Sequence, residues 1–292
     1  MTLKHAYDAH IKKREEIIES PTARFWYEQE KRYVPPFQMY GNLYYVGDSW
    51  VCAHIVDTGD GLLLFDGGNC CATAMLIQSI WEAGFNPRDV KWMIMSHGHV
   101  DHIGAANFFR SMFGTKLYLS APDAEMFRSR PWLSLVQEST DAMEALFVPD
   151  VEINEGDELT FGGTTIKFYL VPGHTDGCIA CFFDVTDGKE VKRVGYYGGF
   201  GFNTLTKEYL TEIGDPTFKT REVYLESIRK VCDEKVDIFM PNHTSNVDLL
   251  GKRRYMAEHP EENPFVDDTQ WKRYLNQKYE ELREFMKNPE NQ

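Results

Sequence analysis

MIMSHGHVDHIGAANFF, residues 93–109, gathers three of the chain's nine histidines into six positions with an aspartate among them. The apolar run Val90–Met95 that leads in reads as a short buried strand, and Ile103–Phe113 that follows reads as a helix. His97 and His99 are two apart, so in an extended segment they point the same way and can hold one ion together. Imidazole nitrogen and carboxylate oxygen are donors that Zn²⁺ accepts. Gly98 removes a side chain between the two rings and permits a tight turn. Asp101 and His102 project differently and can serve a second ion nearby, while Gly104 keeps the helix start uncluttered. A histidine-rich surface loop is the plain alternative, but apolar sequence on both flanks argues against it.

Working outward, two further histidines share one plan. His174 in LVPGHTDG follows the strand Thr164–Val171, and His243 in FMPNHTS follows the strand Val236–Met240. Each combines an apolar strand, a proline and a histidine at the loop start. Three strands that deliver histidines from their carboxyl ends to one edge would build a metal cleft. Asp66 in LLLFDGG stands where an apolar strand meets two glycines, a place from which a carboxylate can accept a ring N–H from a ligand histidine. Its bland alternative is a turn-forming aspartate. His5, His10 and His259 fall in charged helical segments and read as solvated, and His54 reads as a hydrogen-bonded wall residue of a strand.

The residues to about Arg32 read as one or two amphipathic helices ended by Pro35-Pro36, which divides the chain into an N-terminal helical arm, 1–35, and a domain over 36–292 that includes the C-terminal helices. Strands are expected at Leu43–Val46, Val51–Val56, Leu62–Phe65, Lys116–Ser120, Glu158–Phe161, Cys178–Asp184 and Val191–Tyr197. Helices are expected at Ala72–Ala83, over most of Ala121–Phe147, at Lys219–Asp233 and from Thr269 onward. Strands, helices, then strands and helices again suit a layered sandwich with helices outside and two sheets inside. Cys178 and Cys181 form a C-x-x-C, but at i and i+3 of a strand they face opposite ways and read as reduced core cysteines.

Composition limits the partners. The 292 residues are 42% hydrophobic and 26% charged, which suits a globular chain of one large domain or two small ones. A formal net charge of −14 repels phosphate backbones and anionic membranes, so a small-molecule substrate is expected, with no nucleic acid and no membrane. No run approaches the roughly 18–20 apolar residues of a membrane span. The first twenty residues are charged throughout and lack the apolar core of a signal peptide, so a cytoplasmic location is expected.

HxHxDH at 97–102, FDGG at 65–68, GHT at 173–175 and the late His243 together resemble the metallo-β-lactamase superfamily, from roughly Pro36 to Leu282. FQMYGNLYYVGDSWVCAHIVDTGDGLLLFDGG at 37–68 and NPFVD at 263–267 resemble the third subclass of metallo-β-lactamases. The resemblance implies an α+β fold, a four-layer αββα sandwich. It implies two zinc ions, the first on His97, His99 and His174, the second on Asp101, His102 and His243. In VGYYGGFGFN the position matching the superfamily's bridging aspartate is Gly199, beside Gly198, and neither can ligate through a side chain; the third subclass also lacks that bridge. The implied function is a zinc-dependent hydrolase in which activated water attacks a carbonyl of an amide, lactam or ester-like substrate, with Asp101 orienting the nucleophile. A lactonase or thioester hydrolase is the alternative; an iron-dependent oxidoreductase and a non-catalytic metal-binding protein stand further off. Chain features depart from the lactamase pattern at GGFGF, where a small polar residue is usual. Phe200 and Phe202 are candidate pocket walls, as is the aromatic run Phe25-Trp26-Tyr27.

Overall fold

Leu62–Phe65 is buried at every position, and its side chains divide alternately between two cores: Leu63 and Phe65 into one, Leu62 and Leu64 into the other. A strand covered on both faces reads as a continuous apolar run, and this one lies inside a sheet packed on two sides. The computed structural model describes residues 2–18, 29–136, 145–288 and 291. Its first sheet has seven strands in the order β1 (Phe37–Tyr40), β2 (Leu43–Tyr45), β3 (His54–Asp57), β4 (Leu62–Phe65), β5 (Val90–Ile94), β6 (Lys116–Ser120) and β7 (Val151–Ile153). The meander β1–β4 is antiparallel, whereas β4 to β7 are parallel. The second sheet holds five strands, ordered β12 (Ile238–Met240), β11 (Val191–Tyr197), β10 (Ile179–Thr186), β9 (Thr164–Leu170) and β8 (Glu158–Phe161).

Helices α1 (Leu3–Ile18), α2 (Thr73–Glu82), α3 (Val100–Ile103), α4 (Ala106–Phe113) and α5 (Ala121–Ser129) are followed by α6 (Lys207–Glu212), α7 (Lys219–Cys232), α8 (Leu249–Glu258) and α9 (Gln270–Lys287). Ile80 of α2, Phe109 of α4 and Phe127 of α5 cover the outer face of the first sheet. Ile228 of α7 and Trp271 and Leu275 of α9 join the core that the two sheets share. Trp271 Nε1 donates to Val231 O at 2.9 Å, which fixes α9 on α7. Between the sheets, Phe65 stacks on Phe183 with centroids 5.3 Å apart. The result is the αββα sandwich expected from the sequence. Among the described residues no helix is long and apolar enough to cross a membrane.

Three expected elements differ. The helix Ile103–Phe113 is broken into α3 and α4 because Gly104 N donates to Gly68 O at 2.8 Å, and a Cβ on Gly104 would stand 2.1 Å from Cys70 N. The loop after β4 crosses there too closely for any side chain. The strand expected from Val51 begins only at His54, since Val51 bridges to His243 and Cys52 N donates to Asn242 O at 2.9 Å. Part of Ala121–Phe147 is helical, as α5 and a short turn at Pro131–Ser134, while 137–144 lie outside the described residues. Strands β1 and β7 and helices α6 and α8 are additions. Cys178 and Cys181 are both buried and unpaired, as core cysteines should be.

Candidate metal centre

Strands β9, β11 and β12 run in one direction, so the carboxyl ends of β9 and β12 bring His174 and His243 to the same edge of the second sheet. At the adjoining edge of the first sheet, Asp66 directly follows β4 and β5 leads into Ser96–His102. Ile179 N donates to Ser96 O at 3.1 Å and joins the two edges.

Six side chains converge there in two sets. His97 Nε2 lies 3.1 Å from His99 Nδ1, which lies 3.0 Å from His174 Nε2. His102 Nε2 lies 3.2 Å from His243 Nε2, and Asp101 Oδ2 lies 3.4 Å from the first and 3.6 Å from the second. Ligands of a tetrahedral zinc bound at its usual distance are about 3.3 Å from one another, so each set is spaced for one ion. The ligand atoms of His97, Asp101 and His102 also fall within 4.8 Å of one another, so the sets adjoin.

The outer ring nitrogens explain why the inner ones converge. His97 Nδ1 meets Ser96 Oγ at 3.0 Å, His174 Nδ1 meets Gly201 O at 3.0 Å, and His243 Nδ1 meets Trp50 O at 3.1 Å. His102 Nδ1 meets Asp66 Oδ2 at 2.8 Å. Backing of this kind fixes the tautomer and aims the free nitrogen inward. His99 Nε2 alone is buried without a partner.

Burial, then the neighbouring rings, pushes His97 and His99 well below the usual imidazole range. Burial also takes His174 and His243 down to about 4. Neutral imidazole is the ligating form. His102 is the exception: burial opposes its charge, but Asp101 and Asp66 outweigh that and lift it to about 10. Burial would raise Asp101, yet His102, His243 and His99 hold it far below the carboxylate range. A cation on Asp101, His102 and His243 would meet a site already shaped for positive charge and would compete with the proton on His102.

Asp66 is fully buried and adopts φ of 59°, a left-handed conformation that aspartate tolerates. It accepts from Ser96 N at 2.7 Å and Tyr196 Oη–H at 2.5 Å besides His102. Neither Tyr196 nor Asp123 belongs to a motif of the sequence. Asp123 accepts from Gly98 N at 2.7 Å, Thr175 Oγ1 at 2.9 Å and Gly177 N at 2.9 Å, and so joins the loop of His97 and His99 to the loop of His174. Its only sequence signal is its place in the first turn of α5, where Ser120 caps the helix.

The ligand sets open into a cavity of about 670 Å³ walled by Trp50, Leu135, Phe200 and Tyr274. Phe200 is 6% exposed and stacks on Tyr197 at 4.5 Å, so it packs the core and presents one edge to the cavity. Phe202 is not part of this lining; it turns to Phe285 at 5.5 Å and Tyr224 at 6.2 Å. Phe25-Trp26-Tyr27 lie outside the described residues. His54, as expected, is a buried wall residue, with Nε2 2.8 Å from Pro241 O. His5 and His10 are exposed on α1, and His259 is half-buried against Tyr255.

Residues 51–187 match the family model described as metallo-beta-lactamase superfamily. The chain is 31% identical over 155 residues to the hydroxyacylglutathione hydrolase GloC of Haemophilus influenzae, a match covering 51% of this chain and 68% of that one. It is 26% identical over 227 residues to the probable metallo-hydrolase YqgX of Bacillus subtilis, covering 76% and 95%. Among solved structures it is similar to BJP-1, a subclass B3 metallo-beta-lactamase of Bradyrhizobium japonicum, with a TM-score of 0.76, 25% identity and coverage of 89% and 96%.

Proposed function

The chain belongs to the metallo-beta-lactamase superfamily of metallo-hydrolases, and on that premise we propose that it is a two-zinc hydrolase of lactam, amide or ester-like carbonyls. The observation that carries this reading is the pair of adjoining three-ligand sets opening into one cavity. His97, His99 and His174 would hold the first ion, and Asp101, His102 and His243 the second. Ions held there supply Lewis acidity and water that ionises near neutral pH.

The protein's own groups do the rest. Asp101 lines the cavity and orients the attacking water by accepting its hydrogen bond, a role that needs the ionised carboxylate its neighbours maintain. Asp66, itself held by the Tyr196 hydroxyl, holds the His102 ring, and Asp123 holds the two ligand loops in register. Trp50, Leu135 and Phe200 exclude water from around the acyl group. Hydrolysis places OH on the acyl carbon and H on the departing nitrogen, oxygen or sulfur. A thioester hydrolase is the second reading, favoured by the likeness to GloC. Its location in the cytoplasm and a helical arm over 1–35 belong to the same proposal.

The test is turnover of a chromogenic cephalosporin, a lactone and an acyl thioester by chelated and zinc-restored protein. Zinc-dependent hydrolysis of at least one is expected. Zinc loading without hydrolysis of any would refute the carbonyl-hydrolase reading.

A further inference from the structure

Helix α9 supplies the cavity wall formed by Tyr274, Gln277 and Lys278, positions i, i+3 and i+4 that share one helix face. Among the described lining residues, Lys278 is the one lysine or arginine, in a chain of net charge −14. We infer that Lys278 is an anion anchor and that the site selects substrates carrying a carboxylate beside the scissile carbonyl. This rests on the hydrolase reading above.

Three observations bear on it. The Lys278 side chain is only 20% exposed, and Nζ lies 5.4 Å from the Tyr274 ring centroid and 5.7 Å from that of Phe202. The head group is thus carried on two aromatic rings, which keep the charge in place without neutralising it. Its ion pair, to Glu281 at 2.7 Å, uses a carboxylate that is 39% exposed and lies one turn further along the same helix. Pairs of this kind are weak and exchange readily with an incoming carboxylate. The amides of Gln277 and Asn203 line the same cavity and offer donors beside the ammonium. Gln277 Nε2 is also engaged by Glu281, at 2.7 Å. Glu281 therefore holds two of these three donors, Lys278 and Gln277, until a ligand replaces it. Phe200, Trp50 and Leu135 line the same cavity and suit an apolar acyl group. The substrate class is an acid with an apolar acyl half and an anionic half.

The experiment uses the zinc-loaded full chain and two probe pairs. One is the non-cleavable thioether 3-(phenethylthio)propionate with the matching neutral alcohol, 3-(phenethylthio)propan-1-ol, read by calorimetric Kd. The other is the thioester 3-(phenylacetylthio)propionate with the phenylacetyl thioester of 3-mercaptopropan-1-ol, read by KM. The wild type should prefer each acid over its neutral partner. Lys278→Gln should reduce that preference about tenfold, as expected for loss of a charge-assisted contact. Lys278→Arg should retain it, and Glu281→Gln should increase it. An acid-to-neutral ratio that is the same in Lys278→Gln and wild type would overturn the inference, since the metals would then account for the whole preference. If the wild type cleaves neither thioester, the thioester reading fails, while the thioether pair still decides the role of Lys278.

Discussion

Gly199 lies against the ring of His174: a Cβ at position 199 would stand 2.5 Å from Cδ2 and 3.0 Å from Cγ of that ring. His174 cannot simply retreat, because its Nδ1 is held by Gly201 O and burial surrounds it. The position that resembles the superfamily's bridging aspartate is thus occupied by packing that seats a ligand of the other set. Gly199→Ala should weaken the first metal by about 10–100-fold, the range for disturbing the support of a ligand. Chelator competition measures this; unchanged affinity would mean that His174 yields without cost.

Asp66→Asn isolates the support of the second metal. Asparagine tolerates the left-handed backbone at this position but cannot accept from His102 Nδ1, Tyr196 Oη and Ser96 N as the carboxylate does. Affinity at Asp101, His102 and His243 should fall by about 10–100-fold, with the His97 set largely retained. Competition titrations that show both sites weakened equally would contradict separate support for the two sets.

The convergence of the first four side chains was legible because it is local: His97, His99, Asp101 and His102 lie within six residues. His174 and His243 were legible through a repeated strand-Pro-His plan. Asp123 was not, because its donors come from Gly98, Thr175 and Gly177, which only the tertiary fold brings together. Tyr196 reads as an ordinary strand residue until β11 packs against β4, where its ring meets Phe65 at 5.4 Å. The break at Gly104 was hidden for the same reason, since the loop that forces it comes from residues 67–70. Phe200 and Phe202 share one run, yet the turn after β11 sends only the first to the cavity.

His54 gives a pH dependence. Burial lowers its pKa to about 4 from the ordinary 6.5. Between those values the unfolded chain binds a proton that the folded chain refuses, so stability is lost as pH falls from 6.5 toward 4. At about 1.4 kcal/mol per unit the loss is roughly 3 kcal/mol. Denaturant unfolding of the metal-free protein across that range should show a loss larger in wild type than in His54→Gln by this amount, since the depressed His97, His99, His174 and His243 contribute equally to both. Equal losses would show that His54 titrates normally.

Phe200→Ala tests a residue with two duties. Deleting a buried, stacked ring should destabilise the protein by about 3–5 kcal/mol. Loss of its cavity edge should also raise KM for bulky apolar acyl substrates, about tenfold for roughly 1.4 kcal/mol of lost contact. Unchanged thermal stability would contradict the core role; unchanged KM would contradict the wall role.

The most direct test of the two-ion site is zinc titration of metal-free wild type and His97→Ala, with hydrolysis followed at each addition. The wild type should bind two zinc ions per chain in unequal steps, since the second set lacks a bridging side chain, and activity should appear as they fill. His97→Ala should lose the first ion and at least ~100-fold of the rate, because three histidines leave no spare ligand. Two ions bound with full turnover in His97→Ala, or a single ion per chain in the wild type, would contradict the account.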